Sequence, residues 1–220
     1  MDPVIALLSI SGAMIAGAIS PGPSFVYVLR TSLAASRRDG LAAALGMGLG
    51  AAILASLALL GLRAVLAEVA WLYLGFKLVG GVYLIYLGYR LWRGARQPAP
   101  MPNSGQLGPE HASPDKPPTS FARGFALALA TQLSNPKTVV VIGGVFAALL
   151  PDHVPLWMYL AIPPIVMLID ASWYSIVAIA ASSRRPRAAY ARSKTWIDRG
   201  AGTIMGILGG RLIYEAGSAV

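Results

Sequence analysis

Residues 3–29, PVIALLSISGAMIAGAISPGPSFVYVL, carry no charge and are long enough to cross the roughly 30 Å hydrocarbon core of a bilayer as a helix. Yet the stretch contains Ser20-Pro21-Gly22-Pro23. A proline inside a helix removes a backbone donor and clashes with the preceding turn, at a cost of about 3 kcal/mol, and two prolines flanking a glycine open the helix fully. Non-helical backbone at membrane depth is tolerated only where it faces protein or a watery cavity, so this break points inward. A second interruption, Ser134-Asn135-Pro136-Lys137, falls inside 124–150, a segment whose only other feature is its apolarity.

The whole chain agrees with that reading. Of 220 residues 56% are hydrophobic and only 12% charged, with a mean hydropathy of +0.63. A soluble fold needs a polar exterior, whereas the charges here are bunched between long apolar stretches. Disordered, collagenous and disulfide-scaffold classes are excluded. With no cysteine and two histidines, no thiolate nucleophile or soft metal site is available, and neither a cofactor nor a metal is expected. The net charge of +9 does not argue for nucleic acid, because most basic residues flank apolar segments, where they set topology.

Six spans are expected: 3–29, 41–62, 69–89, 124–150, 154–183 and 200–219, the last being the weakest window because it contains Arg211 and Glu215. The first lacks a basic leader and is expected to be a retained helix, not a signal peptide. Loops after spans one, three and five hold fourteen of the eighteen Lys and Arg. The positive-inside rule makes that side cytoplasmic and both termini periplasmic. Residues 94–119 are dense in Pro, Gly and Ser and read as a cytoplasmic tether between two halves, 1–93 and 120–220. Three spans on either side of that tether give inverted halves, and each leading helix breaks at a proline.

Ser20 and Asn135 are good N-cap residues with proline next in line, so each break is expected to start a new half-helix with its positive end toward the interior. That suits a carboxylate. Ordinary proline kinks are the bland alternative, and the matching positions of the two breaks weigh against it. Lys77, Lys137 and Asp170 are charges inside spans, each costing at least about 2.5 kcal/mol unless paired or wetted. Lys137, at a half-helix start, needs something negative beside it. Asp170 is the acid that could carry a coupling proton, or it could lock helices together with a lysine. Arg211 and Glu215 are spaced for a helical ion pair. The glycines at 46, 48 and 50, at 75, 80 and 81, and at 202, 206, 209 and 210 mark helix-packing seams.

Gly17 with Pro21-Gly22-Pro23, then Lys77-Leu-Val-Gly80 with Tyr83, Tyr86 and Gly88, then Phe121-Ala-Arg-Gly124 ahead of Asn135-Pro136-Lys137 occur in an order that resembles the LysE/RhtB family of bacterial amino-acid exporters over nearly the whole chain. The resemblance implies an inner-membrane, multi-pass exporter of amino acids or close derivatives, driven by the proton gradient, and not an enzyme. It implies substrate-binding roles for Pro21, Gly22, Pro23, Lys77, Asn135, Pro136 and Lys137, and proton coupling at Asp170, and Ser20 joins the substrate-binding set as the expected start of the first half-helix. The expected partners are an amino acid, protons and lipid, with no nucleic acid, and homodimerisation is left open. A cation or metal-ion exporter and a non-transporting membrane protein are the rival readings.

Overall fold

A computed structural model of the chain describes residues 2–68, 70–97, 120–151, 153–181 and 184–218. The tether expected over 94–119 falls outside the described residues from 98 onward. Among the described residues the regular structure is helical throughout: α1 (Pro3–Ile19), α2 (Pro23–Ala34), α3 (Arg37–Glu68), α4 (Ala70–Gly94), α5 (Phe121–Leu133), α6 (Pro136–Leu149), α7 (Leu156–Ala181) and α8 (Arg184–Gly217). α3 over Arg37–Gly61 and α7 are each long and apolar enough to cross a membrane. The pairs α1 with α2 and α5 with α6 qualify together as bent spans, with angles of 54° and 57°.

Both bends follow from local chemistry. The residue before a proline is pushed out of the helical region. Ser20, before Pro21, is extended with ψ 124°, and Gly22, before Pro23, is extended with φ −156° and ψ −170°. Helix α2 then starts with Pro23 in its first turn, where a missing N–H costs nothing. In the second pair Asn135 is extended ahead of Pro136, and its Oδ1 accepts from the Lys137 amide at 3.0 Å. Asn135 is thus the N-cap expected from the sequence. Ser20 is not: Gly22 occupies the cap position of α2 without a side-chain bond, because the second proline delays the helix start by two residues.

Sixteen basic-rich residues, 184–199, were expected to form a loop, and they are instead the first turns of α8. Alanine, arginine and lysine are strong helix formers, and nothing in the stretch beyond Pro186 in the first turn interrupts them. Helix α8 packs along α4, and Lys194 Nζ donates to the Gly94 carbonyl (3.0 Å) while Thr195 Oγ1 donates to the Ala95 carbonyl (2.9 Å). The first residues of the expected tether are therefore fastened to α8.

The glycine seams are real where backbones approach. A β-carbon on Gly209 of α8 would stand 2.5 Å from the Gly81 carbonyl of α4, and one on Gly88 of α4 would stand 2.6 Å from the Gly202 carbonyl of α8. On α3, Gly46 and Gly50 face α5, and Gly48 faces Met167 and Ala171 of α7. Gly75 and Gly210, read as part of the same seams, have open space around them.

Most of the buried apolar residues fall into two clusters. One holds Ile10, Met14, Val141, Phe146, Met158, Ile162 and Met205. The other holds Phe25, Val28, Met47, Tyr174 and Val177. Along each of the two bent pairs, and along α7, the boundary between them falls at buried polar residues: Ser20 and Ser24, Gln132 and Asn135, and Asp170. Large apolar side chains such as Leu8, Val79, Leu160 and Ile207 point outward, as lipid contact requires.

Replacing Gly209 by alanine is expected to cost about 1–3 kcal/mol by overpacking the α4–α8 seam, whereas Gly210→Ala should be neutral or slightly stabilising. Thermal unfolding of the two purified variants in detergent checks this, and equal melting of both would show that the seam is not tight.

Candidate functional site

Proline 21 lacks the N–H that an unbroken helix would aim at the Gly17 carbonyl, and the chain leaves the helix before Ser20 can receive one. Both carbonyls lie at the negative end of α1. The Lys137 ammonium reaches them from the other half of the chain, donating to Ser20 O at 2.8 Å and Gly17 O at 3.2 Å. The sequence left Asp170 or a substrate carboxylate as the negative neighbour of Lys137; Asp170 lines the same small void, and the direct acceptors are carbonyls of a helix terminus, which carries about half a negative charge. Gly22 lets the lysine through, since a β-carbon there would lie 3.1 Å from its Cδ and 3.2 Å from its Nζ.

The second break treats its carbonyls differently. The Gln132 carbonyl, which loses its donor to Pro136, accepts from the Asn135 amide at 3.1 Å in a tighter turn. The two breaks are thus alike in sequence and unlike in chemistry: one exposes acceptors and the other supplies the cation.

A buried polar chain ties them together. Asn135 Nδ2 donates to Ser24 Oγ (2.8 Å), Ser24 Oγ donates to Gln132 Oε1 (2.5 Å), and Gln132 Nε2 donates to Asp170 Oδ2 (2.9 Å). All four residues are at most 5% exposed. The chain runs from the second break through α2 and α5 to α7, so it couples both halves to the Asp170 carboxylate. Such a network is worth most when fully satisfied and costs most when one member is removed.

Ser20, Pro21, Gly22, Pro23, Asn135, Pro136 and Lys137 line a single cavity of about 940 Å³. Its walls continue along α4 and α8 past Tyr83, Tyr86, Arg90 and Arg93 to the buried Lys194–Asp198 pair, whose N–O distance is 2.6 Å. Behind it, Ser24, Asn135, Lys137, Asp170 and Tyr174 surround a smaller void of about 20 Å³, room for one water molecule. Lys77 stands apart from both. Its Nζ bonds Glu215 at 3.0 Å, and Glu215 also holds Arg211 at 2.7 Å. The expected helical pair of Arg211 and Glu215 is present, and Lys77 joins it instead of the site.

Gln132 and Ser24 were not singled out from sequence. A lone amide in the apolar run 124–133 was the available signal for Gln132, since a polar group in a span needs a partner.

Residues 15–216 match the LysE type translocator family. The chain belongs to that family. It is 31% identical over 211 residues to the threonine efflux protein of Escherichia coli (strain K12), covering 94% of this chain and 97% of that protein. It is 32% identical over 200 residues to the threonine efflux protein of Salmonella typhi, covering 90% and 92%. A leucine efflux protein of Salmonella choleraesuis is 30% identical over 120 residues, which is 54% of this chain and 51% of that protein. No solved structure matches. For a LysE type translocator, outward-facing apolar side chains and a polar layer inside are the arrangement a membrane transport protein requires.

Truncating Gln132 to leucine removes a donor from Asp170 and an acceptor from Ser24, and is expected to cost about 1–3 kcal/mol. A double-mutant cycle of Gln132→Leu with Asp170→Leu should give a coupling of about 0.5–3 kcal/mol in melting experiments, and strict additivity would break the proposed link between α5 and α7.

Proposed function

We propose that this chain is a secondary exporter of amino acids or close derivatives across the bacterial inner membrane, exchanging substrate for protons. One observation carries the reading: two helices broken at prolines turn their ends toward one cavity large enough for a small molecule, with Lys137 between them and Asp170 behind. Broken helices whose ends carry opposite partial charges are how secondary transporters hold a zwitterion while irregular backbone stays out of lipid. The family, and relatives whose names are threonine and leucine efflux protein, support the choice of substrate class.

In this reading six crossings form two inverted halves, 1–93 and 120–220, joined by a cytoplasmic tether with both termini periplasmic. Support comes from the order of elements, a bent pair and then two helices in each half, and from the packing of α3 on α7 and of α4 on α8. Arg90, Arg93 and Lys194 lie where the positive-inside rule assigns the cytoplasm, so the larger cavity fits an inward-facing stage that loads substrate from inside. The carboxylate of the substrate faces the positive ends of α2 and α6. Asp170 takes up and releases the coupling proton, and the chain through Gln132 and Ser24 carries its state to the breaks.

Counterflow of labelled threonine, leucine and other amino acids in proteoliposomes tests the activity. Pro21→Ala and Pro136→Ala should each lower exchange by about tenfold or more, equivalent to about 1.4 kcal/mol, with membrane insertion unchanged. Normal efflux in both would remove the broken-helix site. Asp170→Asn should keep exchange but lose accumulation driven by an imposed pH gradient, and intact coupling in that variant would take Asp170 out of the mechanism.

A further inference from the structure

We infer that the carbonyl cradle at the end of α1 is the subsite for the ammonium group of the substrate, and that Lys137 fills it as an internal competitor until substrate arrives. The inference rests on the export reading for its choice of substrate. The cradle itself rests on geometry.

A primary ammonium is already seated there. Lys137 Nζ has three hydrogens, and the Ser20 and Gly17 carbonyls accept two of them. The α-ammonium of an amino acid is the same chemical group, with the same hydrogens and the same preference for the negative end of a helix. Ser20 adds an independent sign. Its side-chain hydroxyl is unpartnered although the residue is only 1% exposed and borders the large cavity. A buried hydroxyl without a partner is costly, and a ligand bearing both donors and acceptors would satisfy it.

The exchange balances charge. When the incoming ammonium takes the cradle, Lys137 is released beside the substrate's carboxylate and pairs with it, so neither cation is left buried alone. A plain carboxylate cannot displace Lys137, because it brings no donor for the two carbonyls. A plain amine does not displace Lys137 either, because taking the two carbonyls would leave the lysine buried without a counter-charge. Only a molecule carrying both groups satisfies both ends, so the site selects free amino acids over their α-hydroxy and N-acyl analogues. The Gly17 carbonyl is open because residue 21 has no N–H, and glycine at 22 gives the lysine stem close passage, since a β-carbon there would stand 3.1 Å from its Cδ.

The test uses full-length purified protein in detergent, melted with n-propylammonium chloride or with sodium chloride at equal ionic strength. Lys137→Ala vacates the cradle, so n-propylammonium should raise its melting temperature saturably and leave the wild type unmoved. No shift in either protein, or equal shifts in both, overturns the cradle. If the alanine variant does not fold, Lys137→Met retains the length without the charge and is compared in the same way. In wild-type proteoliposomes an amino acid should exchange at least about 100-fold faster than its α-hydroxy analogue, because a site built around a donor rejects a ligand lacking it. Comparable exchange of the two would overturn the cradle and leave amino-acid export standing. Absence of any amino-acid exchange would sink the export reading, and the melting comparison would still decide the cradle.

Discussion

The structure depends on one contact between its halves: a lysine ammonium at the start of α6 bound to two carbonyls that the break after α1 leaves without helical donors. Neither side of that contact is stable by itself. Exposed carbonyls in a membrane interior cost several kcal/mol each, and an unpaired lysine there costs at least as much as its insertion penalty. Each cancels the other's cost, so the two bent spans are held with their gaps facing. The contact is also polar, and so it can be broken by another molecule with the same groups, which an apolar contact cannot.

Around that contact the polar layer is thin. Asn135 bonds Ser24, Ser24 bonds Gln132 and Gln132 bonds Asp170, and the apolar clusters lie on either side. The larger cavity borders this layer at Asn135. A buried polar network satisfied in this way fixes the relative position of four helices, whereas apolar packing in lipid specifies position only through shape.

Much of this was legible in the sequence because it follows from single residues. Pro21, Pro23 and Pro136 forbid backbone bonds, and Asn135 caps the helix after it. The α3 glycines between Leu45 and Ala51 fall where α5 and α7 come close, as small residues in a span suggest. Proline content alone was not enough: Pro163 and Pro164 lie inside α7 without ending it. What differs at 21–23 is that two restricted positions, Ser20 and Gly22, alternate with the prolines, and one is the weakest helix former short of proline. The illegible part concerns partners distant in the chain. Lys77 could have met any acid, and its choice of Glu215 follows from α4 lying along α8. Ser20 was read as a cap because its residue type fits one, yet Pro23 moved the helix start to Gly22. Gln132 carries a local signal, a lone amide in an apolar run, but its partners Ser24 and Asp170 lie far off in the chain and are not legible from it.

The seam between α4 and α8 has a mechanical consequence. Gly81 and Gly88 on one rod and Gly202 and Gly209 on the other let peptide groups touch at two levels, and the Lys194 and Thr195 bonds pin the end of that seam. Sliding either rod would drive a side chain into a slot sized for hydrogen. The two rods are therefore locked as one stiff unit, and the joints of the molecule lie outside it, at the breaks of α1–α2 and α5–α6.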